Sequence, residues 1–358
     1  MKKICLIGQF PPPIHGLSKA LETIIKSDSM NKKFKLSYID IKDNRKIIDH
    51  TREIKSESAD IYYFTISQTK LGNLRDMFLL QQLLKKKKKV IIHYHGGYYK
   101  KLYNSFTSIQ KYMNRRLIGK VDTMIALSES LRQLFTDVIS LDKVKVCENF
   151  IEDSSLISDD LFEKKLIKLS NQNDDLQVLY LSNFIESKGY KDILQSINKL
   201  KSYNIRVNFA GAFFSKQDEE DFLNYIETQD LKDYVTYHGV VKSERKKELL
   251  LQSDIFILPT YYPKEGQPIS LIEAMGNGLA IITTNHAGIP DIVTPKNGII
   301  INPKSPNEIA DAIIKFRDKK LLVDVAKYNR EYTLRNFKES DYIYKLENIF
   351  NEVCKYED

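Results

Sequence analysis

Twelve short apolar runs recur along this chain in two sets of six, with polar or helix-patterned sequence between them, and this alternation limits the fold more than any other feature. The first set lies at 4–7, 36–39, 61–65, 90–93, 123–127 and 144–146. The second lies at 178–182, 207–210, 235–238, 255–258, 280–283 and 299–301. Most are apolar at consecutive positions rather than at every second one. Strands buried on both faces read that way, and such strands belong to parallel sheets covered by helices. Between them, stretches such as 17–25, 74–84, 109–118, 188–200, 218–228 and 244–252 carry apolar residues at helical spacing. The pattern predicts an α/β chain with two doubly wound, Rossmann-like parallel sheets in tandem. Open sheets of this kind bind ligands at the carboxyl ends of their strands, and two of them face to face would make a central cleft.

The chain has 358 residues, which at roughly 100–200 residues per domain suits two domains. With 42% hydrophobic residues it has apolar material for two cores. Residues 151–175 change character: Asp153-Ser154-Ser155, Ser158-Asp159-Asp160 and the polar run from Ser170 to Asp175 predict a domain boundary followed by a loose lead-in. The expected domains are 1–150 and about 170–335, and 305–357 is expected to be mostly helical with a break near 337–341. Cys5, Cys147 and Cys354 form no Cys-x-x-Cys pair and no ligand pattern with the six histidines, which argues against a zinc site or a disulfide framework. No stretch approaches the ~20 apolar residues of a membrane span, and the N-terminal apolar run is too short for a signal peptide. The expectation is a cytoplasmic protein.

Charge is unevenly placed. Residues 1–150 hold 28 Lys and Arg against 14 Asp and Glu, whereas the rest hold 27 against 33. A basic half suits an anionic partner, and anionic lipid attracts each nearby Lys or Arg by about 1 kcal/mol. The first half, with the five-lysine run at 85–89 as its sharpest feature, is therefore expected to meet an anionic membrane surface, peripherally on its inner face. The same run would also serve as a solvated helix end. No aromatic-basic interleaving points to nucleic acid.

The strongest constellation follows the run at 255–258 and ends in Glu265-Gly266-Gln267-Pro268-Ile269-Ser270-Leu271-Ile272-Glu273. Pro268 suits the first position of a helix, where a missing N–H matters least. The N–H groups of Ile269, Ser270 and Leu271 would then point out of the helix start, a ready site for a diphosphate. Gly266 lets the backbone come close to a ligand. Glu265 and Glu273 would flank such an anion, and a carboxylate is a good acceptor for sugar hydroxyls. A capped surface helix with two solvated glutamates would carry the same residues.

Three further segments follow strands. Asn183 and Lys188 lie between the run at 178–182 and a helical stretch, where Lys188 at a helix start offers a point charge to phosphate. Gly8 to Gly16 follows the first strand, but it is no Gly-x-Gly-x-x-Gly fingerprint, so a dehydrogenase reading is weak. His93-Tyr94-His95-Gly96-Gly97 ends another strand, with His93 the more structural of the two histidines. No Asp-x-Asp triplet occurs.

The stretch from Glu265 to Glu273 resembles the two-glutamate signature of family 4 retaining glycosyltransferases of the GT-B fold, the glycosyl transferases group 1. The sequence from Ala280 to Val293 resembles that family's next strand and loop. The resemblance implies that Glu273 binds the nucleotide ribose, that Glu265 contacts donor-sugar hydroxyls, and that the backbone of Gly266, Gln267, Pro268, Ile269, Ser270 and Leu271 meets sugar and phosphate. It also implies that Lys188 grips the diphosphate, with Asn183 standing where the family usually has an Arg, so that one cation is missing. Gly16 would touch the donor, His95 would sit beside the donor sugar at the catalytic centre with Glu265, and the strand and loop ending at Val241 would hold the nucleobase. No metal and no cofactor is expected, the nucleotide sugar being a co-substrate. The implied reaction is retaining, metal-independent transfer of a hexose from a nucleotide sugar, a UDP-sugar being favoured, to a saccharide acceptor, lipid-linked, in bacterial surface polysaccharide synthesis. Residues 1–150, completed by the last helix at about 340–358, would bind the acceptor and 170–335 the nucleotide sugar. Two alternatives share the architecture: a nucleotide-sugar 2-epimerase, which needs no acceptor, and a non-catalytic binding subunit.

Overall fold

The computed structural model describes residues 1–12, 16–171 and 175–355. Parts of three sequence expectations therefore lie outside the described residues: Pro13, Ile14 and His15 of the loop after the first strand, Gln172 to Asp174 of the polar lead-in, and the last three residues of the terminal helix. The described strands are β1 (Lys3–Gly8), β2 (Lys35–Asp40), β3 (Ile61–Thr65), β4 (Lys89–His93), β5 (Thr123–Ala126), β6 (Val144–Val146), β7 (Leu176–Leu181), β8 (Ile205–Ala210), β9 (Val235–Tyr237), β10 (Ile255–Leu258), β11 (Ala280–Thr284) and β12 (Gly298–Ile301). Each coincides with one of the twelve apolar runs to within two residues at either end.

The chain forms two compact units. One comprises Met1–Asn149, Lys264–Gln267 and Ser340–Asp358; the other comprises Phe150–Pro263 and Pro268–Glu339. The first holds a six-stranded sheet in the order β2-β1-β3-β4-β5-β6 and the second one in the order β12-β11-β10-β7-β8-β9. Every pairing is parallel. Consecutive apolar positions produce this result because β3, β5, β10 and β11 are buried along their whole length, with helices over both faces.

In the first unit, buried amides fix how two of the covering helices lie. Asn73 on the helix Lys70–Lys85 exchanges hydrogen bonds with Asn114 on the helix Ser108–Ile118, both 2.9 Å, and Gln110 donates to Asn73 Oδ1 at 2.9 Å. The last helix, Glu339–Lys355, packs on the same unit through Tyr342, Leu346 and Phe350. Phe350 meets the edges of Phe34 and Tyr63, each at 5.8 Å between ring centroids. Its buried Glu347 takes Lys33 at 2.5 Å and the Ser29 hydroxyl.

In the second unit, the segment expected to be loose contains the helix Asp159–Ser170, capped by Ser158. Its charged sequence hides an apolar stripe, because Phe162, Leu166 and Leu169 recur at helical spacing and all join the core. Lys165 lies on the same buried side. Its ammonium donates to the carbonyls of Leu250 at 2.8 Å and Asn277 at 2.9 Å.

Burial pulls the Lys165 amine down from 10.5 to about 7, against the opposing pull of Asp254. In the unfolded chain the amine holds its proton until about pH 10.4. Between these values the unfolded state binds the extra proton, so this group's contribution to stability grows as pH rises from about 7 towards about 10.4 and is lost as pH falls back across that window. Lys165→Met removes that dependence. Denaturant unfolding at about pH 7 and about pH 9 is expected to show wild type gaining about 2–3 kcal/mol relative to the variant. A difference that does not change with pH would contradict the buried amine.

Candidate functional site

The strand order of the second sheet reverses between β7 and β10, which pair through Val178 with Ile255 and Leu179 with Phe256. Crossovers leave such neighbours in opposite directions, and the loops at their carboxyl ends part around a crevice where open α/β sheets hold ligands. The two loops there are the segment after β7, with Asn183 and Lys188, and the segment after β10, with Tyr261 and Tyr262.

The loop after β7 is anchored by Phe184, which is buried and stacks on Phe213 at 4.0 Å between centroids. Asn183, one residue before, has an exposed side chain, while its carbonyl accepts from the Tyr180 hydroxyl and the Ile185 N–H, both at 2.9 Å. The sequence places Lys188 at a helix start. In the structure it ends the 3-10 turn Glu186–Lys188, and the helix Tyr190–Ser196 begins beyond Gly189. The reason is Gly189, whose φ of 83° lies in the left-handed region and breaks helical continuity. That conformation lets the loop sit against the strand-end loop beside it: a Cβ on Gly189 would stand 2.6 Å from the Pro259 carbonyl oxygen. The Tyr261 N–H donates to Ser187 O at 2.8 Å, and the Lys188 ammonium lies 5.1 Å from the Tyr262 ring centroid. The cation and the two strand ends are thus brought together.

Pro268 precedes the helix Ile269–Gly276 rather than opening it. With ψ at 117° it is the capping residue, and its carbonyl accepts the Leu271 N–H at 3.2 Å. Of the three N–H groups the sequence assigns to an anion, Leu271's is therefore engaged within the first turn. Those of Ile269 and Ser270 head the helix, where no earlier turn supplies acceptors. Glu273 is only 6% exposed. Its Oε1 takes the Lys246 ammonium at 2.5 Å and the Ser155 hydroxyl at 3.3 Å. Val241 lies half-buried against the core of this unit.

The remaining candidates belong to the first unit. His93, at the end of β4, is fully buried and shares a hydrogen bond through Nδ1 with the Tyr63 hydroxyl. Burial, and then the neighbouring His95, hold its pKa well below 6.5, so the ring is neutral. His95 is half-buried, with its ring 3.9 Å from that of His93, and its carbonyl accepts from Gln68 Nε2 at 3.2 Å. Gly266 runs beside this turn: a Cβ on it would stand 3.0 Å from Gly96 Cα and 3.1 Å from Leu127 Cδ1. Glu265 and Gln267 on either side are buried, and Gln267 is held by Asn149, whose N–H and side-chain amide donate to it at 2.6 and 2.7 Å. The segment Glu265–Gln267 thus runs beside the turn that follows His95. Gly16 is exposed at the start of the helix Gly16–Lys26.

Lys246, Ser155, Asn149 and Gln68 do not stand out in the sequence. Lys246 lies in the charged run Glu244-Arg245-Lys246-Lys247-Glu248, where nothing distinguishes it from a solvated neighbour.

Residues 162–332 match the family described as glycosyl transferases group 1. WcaL of Escherichia coli, named for colanic acid biosynthesis as a glycosyltransferase, is 26% identical over 46% of this chain and 42% of its own length. The N-acetyl-alpha-D-glucosaminyl L-malate synthase of Bacillus anthracis is 23% identical over 66% of this chain and 61% of its own. The chain thus spans about half the length of the curated relatives it matches. Among solved structures, Anabaena HepE in complex with UDP superposes with a TM-score of 0.77 at 14% identity, over 98% of this chain and 100% of that one. The sucrose-phosphate synthase of Thermosynechococcus elongatus does so with a TM-score of 0.77 at 14% identity, over 99% and 100%. The fold is GT-B, and residues 162–332 are similar to the glycosyl transferases group 1.

The contact between Gly189 and Pro259 is directly testable. Gly189→Ala is expected to lower stability by about 2–4 kcal/mol, from the left-handed backbone and the clash with Pro259. Urea unfolding measures this, and a variant within about 0.5 kcal/mol of wild type would mean that the two loops are not seated as described.

Proposed function

We propose that this chain is a retaining glycosyltransferase that moves a sugar from a UDP-sugar to a saccharide acceptor carried on a lipid, in the assembly of a bacterial surface polysaccharide. The observation that carries the reading is the seating of Lys188 and Gly189 on Pro259 to Tyr262 where the strand order reverses. The names of the relatives support the substrate class: one moves N-acetylgalactosamine onto a diphospho-undecaprenol-linked sugar, and HepE was solved with UDP-glucose.

In this reading the second unit holds the nucleotide sugar and the first holds the acceptor. Lys188 and the N–H groups of Ile269 and Ser270 face the diphosphate and stabilise the charge it gains as it leaves, without a metal ion. Glu273 accepts from the ribose hydroxyls. Lys246 and Ser155 occupy its Oε1, which leaves Oε2 for the ribose and orients it. The half-buried side of Val241 borders the base. Glu265 accepts from the sugar hydroxyls and His95 hydrogen-bonds beside the reacting carbon. The acceptor oxygen attacks that carbon on the face from which the diphosphate departs. One C–O bond forms as the other breaks, and the acceptor's proton passes to a phosphate oxygen, so the anomeric configuration is kept.

Thermal shift with UDP and UDP-sugars tests the site. Glu273→Ala is expected to abolish the nucleotide-induced rise in melting temperature. Asn183→Arg is expected to tighten nucleotide binding about tenfold, because a guanidinium would restore the missing partner of Lys188. Unchanged stabilisation in Glu273→Ala would place the nucleotide elsewhere, and conversion of the UDP-sugar to an epimer with no acceptor present would overturn the transfer reaction.

A further inference from the structure

Three helices of the first unit, Ile47–Ser56, Lys70–Lys85 and Ser108–Ile118, present an exposed face that the donor site leaves unexplained. On the middle helix Leu71, Leu74 and Phe78 are 81%, 43% and 42% exposed. They follow one another at spacings of three and four, so they form a stripe along one side. Ile109 and Tyr112 on the third helix are 75% and 55% exposed, and Ile48 on the first is 65% exposed. The helices are neighbours: buried Asn73, Asn114 and Gln110 join the second to the third, and Ile48, Arg52 and Lys55 line a shallow groove together with Phe78. Isolated exposed apolar side chains are ordinary on any protein, but a contiguous set on adjoining helices is not.

The charge around these residues is mainly positive. Lys70 and Lys85 stand exposed at the two ends of the middle helix, and Arg115 and Arg116 on the third. The acid on the middle helix, Asp76, is fully buried against Arg75, and the third helix has none. On the first helix Asp49 is paired with Arg52, and Glu53 lies 3.8 Å from His50. The Arg116 guanidinium hydrogen-bonds the Tyr112 hydroxyl and lies 6.0 Å from its ring centroid, an aromatic and a long cation side by side. Apolar side chains ringed by Lys, Arg and Tyr suit the boundary between lipid headgroups and acyl chains. By contrast, the five-lysine run is largely committed within the protein. Lys86 donates to the Lys55 carbonyl, Lys88 approaches Asp60 at 3.9 Å and Lys89 pairs with Asp122 at 3.3 Å.

We propose that this three-helix face seats the protein on an anionic phospholipid surface, with Leu71, Leu74, Phe78 and Ile109 entering the headgroup region and the flanking Lys and Arg meeting lipid phosphates. A second copy of the chain fits less well, because a self-complementary interface would bring the same cations together. No helix among the described residues is long and apolar enough to cross a membrane, so attachment through this face would be reversible. The proposal deepens the lipid-linked acceptor reading, but its test needs neither donor nor acceptor.

The experiment is flotation of the full chain with phosphatidylcholine vesicles, with and without phosphatidylglycerol, at low and high salt. Wild type is expected to float with the phosphatidylglycerol vesicles and to dissociate as salt rises. Leu71→Gln combined with Phe78→Gln is expected to weaken binding by at least about tenfold. Lys87→Gln in the five-lysine run is expected to weaken it by no more than about fivefold. Both variants change exposed side chains, so unchanged melting curves and an unchanged UDP thermal shift should accompany them, which separates this face from the donor site. Failure of wild type to float, or a larger loss for Lys87→Gln than for the apolar pair, would overturn the proposal. So would a concentration-dependent dimer of the wild type that the apolar pair abolishes, which would give the face to a second copy.

Discussion

The parallel pairing of β7 with β10 is the constraint on which the candidate site depends. Val178 lies opposite Ile255 and Leu179 opposite Phe256, and this short contact joins two halves of a sheet whose strand order runs outward in both directions. The crossovers that follow these two strands leave in opposite directions, and open α/β sheets hold ligands at such a reversal. The left-handed Gly189 lets one loop settle on the other at Pro259, and this brings the lysine beside it to Tyr262. A cation, aromatic side chains and strand ends are thereby gathered by backbone geometry rather than by side-chain reach.

Several side chains are held in place by buried polar partners whose loss would leave an unsatisfied group in an apolar setting. Neutral His93 is fixed by Tyr63 inside the first core, so the ring tilted against it, that of His95, rests on a rigid neighbour. Gln267 is gripped by Asn149 from both its backbone and its side chain. Glu273 is held by Lys246 and Ser155. Groups that the proposed function sets against a ligand are thus restrained beforehand, and rigid supports of this kind reduce the ordering that binding would otherwise require.

Charge in the first unit has two fates. Part of it is used internally, as where Lys33 meets buried Glu347 on the last helix, or where Lys86, Lys88 and Lys89 turn toward carbonyl and carboxylate groups of their own unit. Another part, Lys70, Lys85, Arg115 and Arg116, stands exposed on covering helices that also carry exposed apolar side chains. Net charge alone does not distinguish these fates, because a lysine paired at short range contributes little field at a distance.

The strand content of the protein was legible in its sequence, because runs such as 61–64 and 255–258 are apolar at every position and a strand buried on both faces has that need. The stretch from Glu265 to Glu273 was legible for a related reason: Pro, Gly and acids at a helix start act over a few residues, and local effects leave local marks. The helix Asp159–Ser170 was missed because its acidic and basic residues outnumber its apolar stripe, and only packing shows that Lys165 is buried with that stripe. Pro268 could be placed near a helix start from sequence, but whether it caps or opens the helix turns on one dihedral angle set by the chain around it. The pairings of Glu273 with Lys246, of Gln267 with Asn149 and of Gly189 with Pro259 join positions far apart in the chain, and no periodicity records them. Composition and spacing thus determined which segments are strands and where an anion could be met. The strand order, and with it the company each side chain keeps, was decided only by the tertiary structure, because it depends on which buried surfaces fit together once all of them compete for burial at the same time.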